Sequence, residues 1–273
     1  MSETIQIVEG VGPVVSNVSQ ITPGLIKDNY LTGLNFVDAK KQPYPNSWYV
    51  THLNAAIAKF ERHTQINVLR RVIVDEMHDY NANEYVNFCF FSLYQYPVIS
   101  VERVAAVYPT GQLVFSFPIE WVRLTNVHGQ IQLVPTQGSL SSVILGQGGS
   151  YIPLIYAGMG YLPQLFHIDY TSGFAEGMVP LDIVDAICKL ATIQMLTVAG
   201  DTVFPPGLTN ISAGIDGVSQ GVGIMNNGQL PPVFAGRIST YRAELYGRAT
   251  GPEGEGVLDQ LKSQYKGLNM RVA

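Results

Sequence analysis

The sequence predicts an α+β protein: a helical bundle with helices near 46–63, 180–199, 237–247 and 257–266, and an antiparallel β-rich insertion between the first and second helices. Three observations carry this. After Pro45, Val50, Leu53, Ile57 and Phe60 recur on one face of a helix. After Pro180, Ile183, Ala186, Ile187, Leu190, Ala191, Ile193 and Leu196 cover more than one face, as in a central helix packed on two sides. Between them lie short Val-, Ile- and aromatic-rich segments with turn signals at close intervals.

The elements follow in order. Residues 1–44 are punctuated by Gly and Pro and read as an extended N-terminal arm or edge strand. Asn46 or Ser47 can cap the first helix, because a short side-chain oxygen accepts from the free N–H groups of the first turn. Lys59, Glu61, Arg62 and His63 end it. The strands expected are Ile66–Asp75, Glu84–Tyr94, Pro97–Val107, Leu113–Phe117, Ile131–Leu133 and Phe166–Tyr170. Residues 136–163 are rich in Gly, Ser and Pro and predict a long projecting loop or hairpin; loops of that length are usually functional or flexible. In the second helix, Asp182 and Asp185 sit where carboxylates favour the positive helix end, and Gly200 suits the stop. Residues 201–236 read as irregular. Ala249–Gly256 reads as a hinge, and Leu258, Leu261 and Tyr265 share one side of the last helix. The division expected is an arm over 1–44, a body over 45–200, and an irregular segment with a helical tail over 201–273.

Composition narrows the function. Charged residues make up 14% of the chain, against about 25% in an average soluble protein. With so few charges, much of the exterior suits contact with other protein, as in an assembly subunit. Net charge is −5, which argues against a DNA-coating surface. The apolar runs are short for a membrane span, and the first residues lack the basic and apolar regions of a signal peptide. Cys89 and Cys188 form neither a disulfide framework nor a zinc pattern. The stretch 237–273 holds six basic and four acidic residues, so a mildly basic tail follows an acidic body. Such a tail suits docking on an acidic surface, with ordinary surface scatter as the alternative.

Near-matches to catalytic motifs fail on their context. Gly217-Val218-Ser219-Gln220-Gly221 has the G-x-S-x-G spacing of a nucleophile elbow, but that chemistry needs a later His to take the serine proton. The last His is His167, so the reading is a turn or loop. Asp75-Glu76-Met77-His78-Asp79 gathers oxygen ligands, yet neighbours on a strand point to opposite faces. It reads as the polar end of a strand. His167 and Asp169 read as a solvated strand face. Gly146-Gln147-Gly148-Gly149-Ser150 lacks the Lys and following helix of a phosphate loop. The expectation is no catalysis, no cofactor and no metal.

Four pieces of the chain carry a resemblance. They are Phe60-Glu61-Arg62-His63-Thr64 closing the first helix; Pro97-Val98-Ile99-Ser100-Val101-Glu102-Arg103-Val104; and Phe166–Phe174 followed by Val179-Pro180-Leu181-Asp182-Ile183. The last is Gly214–Gln220 followed by Arg237-Ile238-Ser239-Thr240-Tyr241 and the closing Leu258–Tyr265 helix. In order and spacing this resembles the head–tail connector, or adaptor, proteins of tailed bacteriophages. It departs in the long 136–163 insert, and in Ser172 and Gly221 where the family pattern has Ala and Ser. The resemblance implies a structural virion protein of the neck: a homo-oligomeric ring, typically of twelve copies, between the portal protein and a tail or neck protein. Double-stranded DNA passes its channel without specific binding. It also implies assembly in the host cytoplasm and a C-terminal tail docked on the portal. Arg237, Tyr241, Arg242, Leu258, Leu261, Lys262, Tyr265 and Lys266 are the residues expected in that contact. The alternatives are another neck, tail-completion or minor head protein of the virion, or a non-viral binding module.

Overall fold

The computed structural model describes residues 20–34, 37, 41–81, 90–108, 110–134, 160–203, 210–215, 218–223, 234–247 and 256–266. Helices and antiparallel sheets are both present, as an α+β chain requires. The helices are α1 (Asn46–Thr64), α2 (Leu181–Val203), α3 (Ala235–Tyr246) and α4 (Val257–Lys266). The strands are β1 (Arg71–Asn81), β2 (Phe91–Ser92), β3 (Val98–Val107), β4 (Leu113–Phe117), β5 (Val122–Thr125), β6 (Gln130–Leu133), β7 (Tyr161–Ser172), β8 (Asn210–Ile215) and β9 (Val218–Gly223). Strands β1 to β7 lie between α1 and α2 in chain order. Two compact units divide the chain: Gln65–Met178 with the residues from Ser263 on, and Ser16–Thr64 with Val179–Lys262.

The first unit is built on strands. One sheet runs in the order β1-β7-β3-β4 and a second in the order β2-β6-β5. Each contributes one face to a common core, in which Phe117, Phe166, Ile168 and Tyr170 of the larger sheet meet Phe91, Ile131 and Leu133 of the smaller, with Trp121 beside them. Ring contacts tie this core, with Phe91 and Phe166 4.8 Å apart and edge-on, a favoured geometry for aromatic pairs. Strand β7 is central, paired to β1 on one side and β3 on the other. Its alternation therefore decides what each sheet face carries: Phe166, Ile168 and Tyr170 belong to the core, and His167 and Asp169 to the opposite face.

The second unit is helical. In α1 the buried residues are Tyr49, Leu53, Ala56, Ile57, Phe60 and Thr64. Val50, expected on that face, is exposed, because the face begins one residue earlier at Tyr49. Helix α2 packs against α1 and α3. Ile183, Ala186, Ile187, Leu190, Ala191, Met195 and Leu196 are all buried, so its apolar residues are covered on more than one face. Its stretch Leu181–Gly200 is long and apolar enough to cross a membrane, contrary to the reading of short apolar runs; 72% of it is covered by the rest of the chain, as in a core helix.

Several expectations change. Pro23–Leu25 and Ile26–Tyr30 form helical turns, not extended chain. Thr22 caps them, its Oγ1 accepting from the Leu25 N–H at 3.2 Å, and Pro23 is preset for a first helical position. Helix α2 runs through Gly200 to Val203, since glycine ends a helix only where the chain turns into the left-handed region. Gly200 is not among the residues with positive φ. The segment 201–236 contains the β8–β9 hairpin. Asp75 does not end its strand, which continues to Asn81. Tyr161–Pro163, expected in a loop, open β7. Residues 136–159 of that loop, the expected strand over 84–89, Cys89, the phosphate-loop candidate and most of the hinge lie outside the described residues.

Candidate functional site

The residues expected at the docking surface fall into three groups. Arg237 and Tyr241 belong to an internal clasp. Arg237 Nη1 donates to the Tyr30 carbonyl at 3.2 Å, and the Tyr30 hydroxyl donates to Asp185 Oδ1 at 2.7 Å. Lys189 Nζ lies 2.8 Å from Asp185 and 2.6 Å from Glu244, with the Tyr241 ring 6.0 Å away. Burial and the Asp185 bond push the Tyr30 phenol far above its usual range. Burial pushes the neighbouring Cys188 thiol up to about 12. Burial works against the Lys189 charge, but the two carboxylates outweigh it and hold the ammonium above its ordinary value. Leu258, Leu261 and Tyr265 are buried within the chain. The Tyr265 carbonyl lies 3.1 Å from His128 Nδ1, and its ring meets Phe174 edge-on. Arg242 and Lys266 are exposed and Lys262 is half-buried.

Two polar clusters of the sheet unit were not assembled by sequence reasoning. On the outer face of the β1-β7-β3 ladder, Arg103 Nε donates to Asp169 Oδ2 at 2.5 Å, and its Nη2 reaches Asp75 Oδ1 at 3.2 Å. His167 Nδ1 lies 2.7 Å from the same Asp75 oxygen. The Asp75 N–H donates to Asp169 Oδ1 at 2.7 Å. Asp75 has φ 63° at a register shift in β1, a conformation that Asp tolerates better than most residues. The bulge aims its backbone N–H at Asp169. The bond from Asp169 raises the Arg103 guanidinium further. Burial works to raise the Asp169 carboxyl, but Arg103 and the Asp75 N–H outweigh it and hold it low. Asp169 is therefore ion-paired with Arg103 and His167 hydrogen-bonded to Asp75, rather than both being merely solvated.

On the inner face, Glu76 and His78 are buried. Glu76 Oε1 lies 2.8 Å from His78 Nε2 and accepts from the Tyr94 N–H at 2.9 Å. Glu76 Oε2 accepts from the Tyr170 hydroxyl, which in turn accepts from the Gln95 N–H at 3.1 Å. The His78 and Tyr94 rings stack at 4.8 Å. Burial, then the Glu76 charge, push the Tyr170 phenol far above its usual range. A buried carboxylate is retained only when its oxygens are satisfied, and this one is satisfied by three partners. The alternating polar positions on two strands carried a signal for both clusters, but only the β1–β7 register joins them.

The carboxylates of these clusters are bonded to Arg103, to the two imidazoles, to the Tyr170 hydroxyl and to backbone N–H groups. Among the described residues no three His, Cys, Asp or Glu side chains group to hold a metal ion. Ser219 lies within β9, opposite Gly214. It is neither in a turn, as expected, nor at a strand-to-helix elbow.

No protein-family model matches the sequence, and no curated protein matches it. Among solved structures, it is similar to a chain of the neck of an empty gene transfer agent particle computed with C6 symmetry, at 19% identity over 75% of this chain and 88% of that one, TM-score 0.36. It is similar to a chain of the virion of the native gene transfer agent particle, at 18% identity over 75% and 88%, TM-score 0.38. It is also similar to a chain of the neck of the native particle computed with C12 symmetry, at 16% identity over 89% and 98%, TM-score 0.36.

Proposed function

We propose that this chain is a structural, non-enzymatic protein of a phage-type virion neck. In this reading it is a connector, or adaptor, subunit that forms a ring between the portal vertex and the tail and lines part of the DNA channel. The observation that carries the reading is the join from Phe166 to Ile187. The residues that resemble the connector pattern there are the end of strand β7 and the start of helix α2. Strand β7 ends at Ser172, and Gly173 follows at φ 105°. Pro180 then precedes the buried helix α2. The low charge content suits a subunit with two neighbours and two axial partners. The excess of acidic residues before 237 suits a channel along which phosphates slide without being held. Among the residues expected at the portal, the exposed Arg242 and Lys266 and the half-buried Lys262 make the contact; the buried Leu258, Leu261 and Tyr265 seat the helix that carries two of these cations.

Electron microscopy of the protein, alone and mixed with the portal ring of the same particle, tests this. The expected result is a portal that gains one further ring-shaped layer. A protein that stays monomeric beside the portal overturns the reading in favour of a tail-completion or minor head role.

A further inference from the structure

The β8–β9 hairpin stands apart from the rest of the chain in its chemistry. The two strands pair from Asn210↔Gly223 to Ile215↔Val218 with no register shift, and two residues, Asp216-Gly217, separate the last pair. Among the described residues they form a two-stranded sheet with no third strand. A lone two-stranded hairpin is marginally stable in water. Natural edge strands are guarded by charges, prolines or bulges; neither β8 nor β9 contains a charged residue or a proline, and their ladder is unbulged. Asp216 is the only charged residue between Thr202 and Gly236.

We infer that this hairpin is where successive copies of the chain join, the outer edge of β9 in one copy adding to the outer edge of β8 in the next. The inference rests on the connector reading above and deepens it. Charge complementarity selects the occupant. A nucleic acid finds no Lys or Arg in either strand to neutralise its phosphates, and a charged partner edge would lose water without gaining a counter-charge. Another uncharged edge loses nothing, and the next copy supplies one. The two edges of the hairpin are different strands, so each contact is heterologous, and a rotation that closes gives a ring. β9 meets the neighbour's β8 antiparallel, as it meets its own. Twelve copies with strands ~4.8 Å apart would close a belt about 115 Å around, and a strand tilt of ~40° would widen its diameter from about 37 Å to near 50 Å.

The register supplies the test. In an antiparallel ladder, pairs alternate between those bonded to each other and those whose N–H groups turn outward. With a two-residue connection, the outward set includes Ser212, Gly214, Ser219 and Gly221. The double variant Ser219→Pro/Gly221→Pro removes two donors from the outer edge and leaves the internal bonds of the hairpin in place. The full-length protein and this variant are each mixed with the portal ring and imaged, with melting temperatures alongside. The expected result is a ring layer for the wild type, a loss of about tenfold in ring population for the variant, which lacks two inter-subunit hydrogen bonds, and an unchanged melting temperature. A variant that forms the ring as well as the wild type overturns the hairpin assignment and leaves the connector reading standing. A wild type that never forms a ring overturns both. Should the prolines lower the melting temperature, Ser212→Cys subunits and Gly221→Cys subunits, made separately and mixed on the portal, decide. A short thiol cross-linker should join one kind to the other, and the absence of mixed cross-linked species overturns the assignment.

Discussion

Gly173 has a conformation and a neighbour that together admit one residue type. Its φ is 105°, and a Cβ there would lie 2.3 Å from the Leu69 carbonyl oxygen. Its N–H donates to the Pro97 carbonyl at 2.8 Å, so the backbone cannot back away without breaking that bond. Gly173→Ala should lower stability by roughly 2 kcal/mol or more. Gly111 has φ 83° but nothing within 4 Å of a Cβ, so Gly111→Ala should cost only the strain, about 1 kcal/mol. Denaturant midpoints of the two variants check the difference, and equal losses would contradict it. A second residue-scale prediction concerns alkaline pH. Tyr30, Tyr170 and Cys188 hold their protons more tightly in the fold than their ordinary values of 10.0 and 9.0 allow. For such acids the stabilising contribution is complete below the unfolded value and is lost as pH rises above it. Stability should therefore be level up to about pH 9 and fall between about pH 9 and 12. Cys188→Ala and Tyr170→Phe should each flatten that fall in a pH series of unfolding curves. An unchanged slope in both would show that these groups do not titrate with unfolding.

Among the elements, α2 carries the helical unit. Ile187 is fully buried in the second turn of a helix whose neighbours pack on two sides, so little can collapse into a gap there. Ile187→Ala should cost about 2–5 kcal/mol, read as a lower melting temperature; a loss of under about 1 kcal/mol would mean the site relaxes freely. The polar clasp on the same helix explains why two residues expected on the outer surface are partly inside. Arg237 and Tyr241 were legible as a basic and an aromatic residue on a helix. That their partners are Tyr30, some 200 residues earlier in the chain, and Lys189 was not legible. The strands show the same division. The alternation of β7 was plain in Phe166, Ile168 and Tyr170. The pairing of His167 and Asp169 with Asp75 and Arg103 depended on the register shift at Asp75, which single-strand alternation does not carry.

The whole molecule sets the charge prediction. Reversing the exposed Arg242 and Lys266 together to Glu should weaken portal attachment without moving the melting temperature, because exposed charges contribute little to folding. Co-sedimentation with the portal at two salt concentrations checks it: the wild type should weaken as salt rises, and the variant should be weak at both. A variant that binds as tightly as the wild type would remove this tail from the portal contact. Truncating the chain before residue 249 is a poorer probe, since it would also delete the buried Leu258, Leu261 and Tyr265. By itself the sequence determined the α+β class, the helices after Pro45 and Pro180, strands β3, β4 and β6, the centre of β7, and the failure of the elbow motif at Ser219. These are written in local periodicity, turn residues and chain order. Only the tertiary structure decided which cations are exposed, that α4 presents its apolar side to its own chain, and that the carboxylates of β1 are satisfied by β7 and β3. The physical reason is that burial and polar pairing are properties of distant partners, fixed by register and packing and not by the spacing of residues along one element.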